Sequence, residues 1–81
     1  MKATVNRNFF LSHALLMASY DKVSILATNG FFSVASFGVA GSFRIPAYII
    51  EPGQVCISSK EWKTLICEVS ASSDKIVDIV L

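Results

Sequence analysis

The chain has 81 residues, of which 53% are hydrophobic and 16% charged, with a formal net charge of +1. That length makes one domain, residues 1–81, and with no basic tail, Lys/Arg run or acidic block it excludes strong non-specific DNA binding by a lone copy. An ordinary soluble domain carries roughly 25% charged residues, and a chain this short hides only about 60–65% of its unfolded surface, so a mean hydropathy of +0.57 calls for a partner, first of all another copy.

In chain order, Met1 to Arg7 alternates, with Ala3 and Val5 set against Lys2 and Thr4, which predicts a short first strand. Asn8 is a candidate N-cap for a helix over Phe9 to Ala18. Phe10, Ala14 and Met17 would share its inner face, with Leu11 and Leu15 beside them. The same residues also suit a strand, and the spacing leaves that alternative open. Ser19 to Lys22 is a turn. Val23 to Thr28 alternates as a strand, and Asn29-Gly30 is a type I′ hairpin signal. Phe31 to Ala40 is the return strand, with a slip in alternation near Ser36-Phe37 that predicts a bulge, or a bend at Gly38. After a turn at Gly41-Ser42, Phe43 to Ile50 is a strand. Pro46 lacks the ladder donor, so this strand is expected at an edge or broken there.

Glu51-Pro52-Gly53 is a turn, Gln54 to Ser58 a strand, Ser59 to Ser70 a helix, Ala71 to Asp74 a loop and Lys75 to Leu81 the last strand. Ser58-Ser59-Lys60-Glu61 is a capping box, in which the Ser58 hydroxyl takes the Glu61 N–H and the Glu61 carboxylate reaches back to the Ser58 N–H. Trp62, Leu65, Ile66 and Val69 follow at the spacing of one buried face. Core packing is the first reading of Trp62 and an interface anchor the second. The order is βαββββαβ, an α+β fold with an antiparallel sheet and two helices. No sequence repeat is visible, although two β-then-helix units are.

The chemistry of an enzyme is missing. His13 is the only histidine and lies in an apolar helix, which suits a partly buried structural imidazole. The carboxylates Asp21, Glu51, Glu61, Glu68, Asp74 and Asp78 are scattered. Asp78 interrupts the last strand and shares a face with Ile76 and Val80, as an edge charge that blocks aggregation does. Gly30, Gly38, Gly41 and Gly53 sit at turns or bends and fit no phosphate loop. Cys56 and Cys67 form no CxxC pair, so neither a zinc site nor any other cofactor is expected. The pair reads as reduced cytoplasmic thiols, one of them filling the core, with a disulfide as the alternative. No membrane span is expected, because the apolar run from Val23 to Ala40 is broken by polar residues and glycines. Asn6, Asn8, Ser12 and His13 likewise interrupt any N-terminal signal segment. Phe31, Phe32 and Phe37 have no Lys or Arg among them and read as core or subunit contact rather than base-stacking residues.

The order of motifs resembles one domain of the bacterial DNA sliding clamp, the beta subunit of DNA polymerase III, most closely its N-terminal domain. The resemblance rests on Met1 to Arg7 with Phe10-Leu11 and Ala14-Leu15, on Lys22 to Asn29, with Asn29 where an aspartate is usual, and on Glu51 to Ile57 followed by Trp62, Leu65, Ile66, Val69, Ile76 and Ile79. Every one of these is a hydrophobic pattern. A clamp chain holds three such domains and this chain holds one. A strand after the first helix and two strands after the last one are missing relative to that pattern, and the clamp's peptide pocket lies in parts with no counterpart here.

The resemblance implies a non-enzymatic, cytoplasmic module. Its partners would be copies of itself in a homo-oligomer, double-stranded DNA and a replication protein. Helices would face a central hole, with Arg7, Lys60 and Lys63, joined by Ser12 and His13, near DNA phosphates. Phe31, Phe32, Phe37, Ile79 and Leu81 are the interface candidates, and the last residues of the chain the expected subunit junction. The alternative is an interaction or regulatory protein of a phage or mobile element that binds no DNA.

Overall fold

A computed structural model describes residues 1–15, 22–36 and 41–81. Its elements are β1 (Lys2–Asn6), α1 (Arg7–Ala14), β2 (Lys22–Thr28), β3 (Phe31–Ser36), β4 (Ser42–Glu51), β5 (Gly53–Ser58), α2 (Ser59–Ala71) and β6 (Ile76–Val80). The predicted βαββββαβ order therefore holds. All pairings are antiparallel, in one six-stranded sheet of order β5-β2-β3-β4-β1-β6. Alternate strand residues, among them Ala3, Val5, Val23, Ile25, Phe32, Val34, Ile45 and Ile79, form a single core with Phe10, Ala14, Trp62, Leu65, Ile66 and Val69 of the helices.

The helix starts show how local chemistry sets the elements. Residues 9–14 are helical, which resolves the helix-or-strand alternative that far; residues 16–18, with Met17, lie outside the described residues. The cap is Asn6, not Asn8. The Asn6 side chain accepts the Phe9 N–H at 3.0 Å, so the helix begins directly at the strand's end. At α2 the Ser58 hydroxyl accepts the Glu61 N–H at 3.2 Å, as the capping box predicts. The return contact differs: the Glu61 carboxylate takes the Ser58 hydroxyl at 3.2 Å rather than its backbone N–H.

The Asn29-Gly30 turn is as expected, with both residues at positive φ, 54° and 80°. Type I′ geometry needs that at both positions, and glycine adopts it without a Cβ penalty. Of the predicted turn Ser19 to Lys22, Lys22 opens β2 and the rest lies outside the described residues; of the predicted bulge near Ser36-Phe37 or bend at Gly38, Ser36 ends β3 and the rest lies outside them.

Pro46 is a correction. It lies inside an unbroken ten-residue strand that is interior to the sheet. β4 pairs with β3 through Pro46 and with β1 from Ala47 onward, so Pro46 sits where the strand passes from one neighbour to the other. The Ala47 N–H donates to the Gly30 carbonyl at 2.9 Å, on the β3 side. Successive N–H groups point to opposite edges, so the Pro46 nitrogen faces the β1 side, beyond the last β1–β4 pair at Val5↔Ala47. The missing donor costs no ladder bond.

The two β-then-helix units are related by an internal two-fold arrangement that no sequence repeat announces. In β1–β6, the cap residue Asn6 pairs with Ile76, the first residue of β6. In β5–β2, the cap residue Ser58 pairs with Lys22, the first residue of β2. The units β1-α1-β2 and β5-α2-β6 thus exchange partners in matching register. Phe10 and Trp62 stand at equivalent positions after their caps, and they meet edge to face with ring centres 5.6 Å apart. The first unit continues into β3 and β4, which cover the outer edge of β2 and the flank of α1. Among the described residues nothing covers the equivalent edge of β6.

Candidate nucleic-acid interface

The second helix has three sides. Trp62, Leu65, Ile66 and Val69 face the core, all buried. Lys60, Lys63, Thr64 and Cys67 line an open depression on its outward flank. Glu61 and Glu68 stand on the flank that faces β6, next to Leu65. The polar residues are therefore graded around the helix: Lys63 lies on the outward flank, Lys60 on the crest that borders both depressions, and the carboxylates toward the sheet edge. Lys60 and Lys63 are both exposed and one helical turn apart, close enough to act on one stretch of polyanion.

Arg7 has partners within the fold. Its Nε donates to the Val69 carbonyl at 3.2 Å and its Nη2 to the Ser70 carbonyl at 2.8 Å. The last turn of α2 has no basic residue of its own. Arg7, from the start of α1, adds a second donor to the Val69 carbonyl, which also accepts the Ser72 N–H, takes the Ser70 carbonyl, and places a positive charge at the negative end of the dipole. Sequence spacing gave no sign of this, since the partners are more than sixty residues away. His13 is half-buried. Its Nδ1 lies 2.8 Å from the Phe9 carbonyl and its ring 5.4 Å from that of Phe43, in keeping with a structural imidazole.

The interface candidates divide. Phe32 and Ile79 are completely buried: Phe32 takes the core half of its core-or-contact reading, Ile79 is corrected from contact to core, and neither has side-chain surface left for a partner. Phe31 and Leu81 keep part of theirs, and Phe37 lies outside the described residues. Phe31 also has a basic neighbour that its own segment lacks: the Arg44 guanidinium lies 4.3 Å from its ring centre, brought there by strand pairing. The outer face of the sheet carries exposed apolar side chains, Val80 (65% exposed) and Ile76 (60%) on the face they share with Asp78, and Tyr48 (71%), which is not among the interface candidates. Strand alternation was the available signal, because each follows or precedes an inward residue.

Both free cysteines are exposed, so neither fills the core. Among the described residues no three His, Cys, Asp or Glu side chains are grouped to hold a metal ion, and no helix is long and apolar enough to cross a membrane.

The two outer strands differ in charge. β5, Gly53–Ser58, carries none. β6 has Asp78 at its centre, where it accepts a hydrogen bond from the Thr4 hydroxyl at 2.6 Å.

This arrangement, a six-stranded antiparallel sheet under two paired helices, matches solved structures along nearly its whole length. The fold is that of a sliding-clamp domain. A DNA polymerase III subunit beta DnaN sliding clamp from Bartonella birtlesii LL-WM9 aligns with a TM-score of 0.77 at 20% identity, covering 99% of this chain and 25% of the clamp. A DnaN sliding clamp from Bartonella birtlesii bound to griselimycin gives 0.71 at 19% identity, over 99% and 23%. The Caulobacter crescentus pol III beta gives 0.69 at 12%, over 95% and 22%. The chain spans about a quarter of the length of these sliding clamps. No protein-family model and no curated protein sequence matches it.

Proposed function

We propose that the chain is a non-enzymatic, self-associating clamp-like module that brings Lys60 and Lys63 of several copies against the phosphates of double-stranded DNA. The observation that carries this reading is that Lys60 and Lys63 together line one open depression on α2, with Glu61 and Glu68 outside it, in a sliding-clamp fold. One copy offers too few cations to hold DNA, so binding depends on assembly. A replication protein is the partner class that the fold likeness suggests beyond DNA.

Self-association is assigned to β5. An uncharged free edge pairs readily with another strand, whereas Asp78 at the centre of β6 would meet its own counterpart in a symmetric β6–β6 pair. The last residues of the chain are for that reason a poorer self-junction than β5. Light scattering on a size-exclusion column is expected to show an assembly that Cys56→Lys, which charges the β5 edge, dissociates. A monomer at high concentration in the unaltered protein would contradict the assignment.

Duplex DNA titrated at several salt concentrations tests the second half. Lys60→Glu with Lys63→Glu is expected to abolish binding or to lower the salt slope by about 2 per copy, one for each lost phosphate contact. Assembly without salt-sensitive DNA binding favours the alternative, an interaction module that uses the same fold for protein partners alone.

A further inference from the structure

The strongest unexplained feature is the groove between α2 and the free edge of β6. Two adjoining depressions of about 310 and 520 Å³ run along it and share Leu65 and Glu68. We infer that this groove accepts an extended segment of another polypeptide, which adds as an antiparallel strand to β6 and carries a basic residue between two apolar ones.

The first argument is the ladder. Met1 and Leu81 exchange both backbone hydrogen bonds, at 3.0 and 2.9 Å, and the Arg7 N–H donates to the Lys75 carbonyl. Bonded residues alternate along an antiparallel pair. Residues 75, 77, 79 and 81 therefore turn their backbone groups to β1, and Ile76, Asp78 and Val80 turn theirs outward. Among the described residues no strand lies beyond them.

The second argument is that the molecule contains its own precedent. By the internal two-fold, β6 corresponds to β2 and α2 to α1. The outer edge of β2 is covered by β3, whose Phe32 and Val34 point into the core. The flank of α1 is covered by β4, whose Phe43 lies on His13. The position equivalent to His13 in α2 is Leu65, which lines the groove. The bare site on β6 thus has the form of one that a strand already fills elsewhere in the chain. Residues opposite Val77 and Ile79 would point inward and be apolar.

The third argument, charge, selects the occupant. Glu61, Glu68, Asp74 and Asp78 line the groove against the single cation Lys60. The residue opposite Asp78 stands beside it on the outer face, and the described partner of Asp78 is a neutral hydroxyl. Opposite charges at such a pair favour binding and like charges oppose it. That disfavours a second copy joined through β6 and favours a basic strand.

The test uses the full chain and capped peptides of alternating valine and threonine with one central lysine or one central glutamate. Backbone amide exchange followed by NMR is expected to slow at Ile76, Asp78 and Val80 when the lysine peptide is added, with the glutamate peptide binding about fivefold more weakly. Asp78→Lys should reverse that preference. Asp78→Asn, which keeps an acceptor for Thr4, should weaken it. The inference is overturned if neither peptide slows these amides, if both bind equally, or if an N-methylated lysine peptide binds as well. It is also overturned if the three amides are already protected in a concentration-dependent way without peptide, which would make a second copy the occupant. Failure here leaves the lysine flank and its DNA titration untouched.

Discussion

Replacing Trp62 by alanine is expected to cost about 3–5 kcal/mol, a large part of the roughly 5–15 kcal/mol that holds a domain folded. The ring is fully buried, stands 5.6 Å from Phe10 and 6.4 Å from Phe43, and donates its Nε1 hydrogen to the Ala14 carbonyl at 3.3 Å. It therefore joins α1, α2 and β4 at the meeting point of the two β-then-helix units. Alanine would leave a void among residues that cannot all close on it, since both helices are anchored at their caps. Urea denaturation followed by circular dichroism measures the loss. Trp62→Phe isolates the polar share: it keeps an aromatic ring but leaves the Ala14 carbonyl without its donor, at about 1–3 kcal/mol. A Trp62→Ala midpoint close to that of the unaltered protein would mean that the ring is not shared between the units.

Arg7→Ala is expected to lower stability by about 1–3 kcal/mol while leaving DNA affinity per folded copy unchanged. Its guanidinium holds the Val69 and Ser70 carbonyls, so its loss should fray the last turn of α2 before it touches anything else. Arg7→Lys should recover only a fraction, because an ammonium cannot reproduce two donors in a fixed fork. Amide exchange at the end of α2, read beside a DNA titration, separates the roles. An Arg7→Ala protein of normal stability that binds DNA more weakly would return this residue to the DNA-contact group, with Lys60 and Lys63.

These two residues illustrate different legibility. Trp62 was readable as core from its spacing with Leu65, Ile66 and Val69, and all four are buried. Arg7 was readable only as a cation near a helix start. Its acceptors are carbonyls on another helix, and backbone carbonyls carry no residue-type signal. For a related reason Phe32 stayed open between core and contact, and Ile79 was placed at a contact. Alternation shows that a strand has two faces, but only the packed helices decide which face is the inner one. Pro46 was misplaced because a proline's cost depends on which edge its nitrogen meets, and that depends on where β1 ends.

By itself the sequence determined the local elements: the strand–helix–four-strand–helix–strand order, the Asn29-Gly30 turn, the Ser58 cap and the buried stripe of α2. Each follows from interactions within a few residues, where side-chain type and spacing are enough. The tertiary structure alone decided the sheet order, the two-fold exchange of strands, the edges of β5 and β6 that no other described strand covers, and which face of α2 the carboxylates turn to β6. Those depend on contacts between residues distant in the chain, where many pairings satisfy the same hydrophobic pattern and packing selects one.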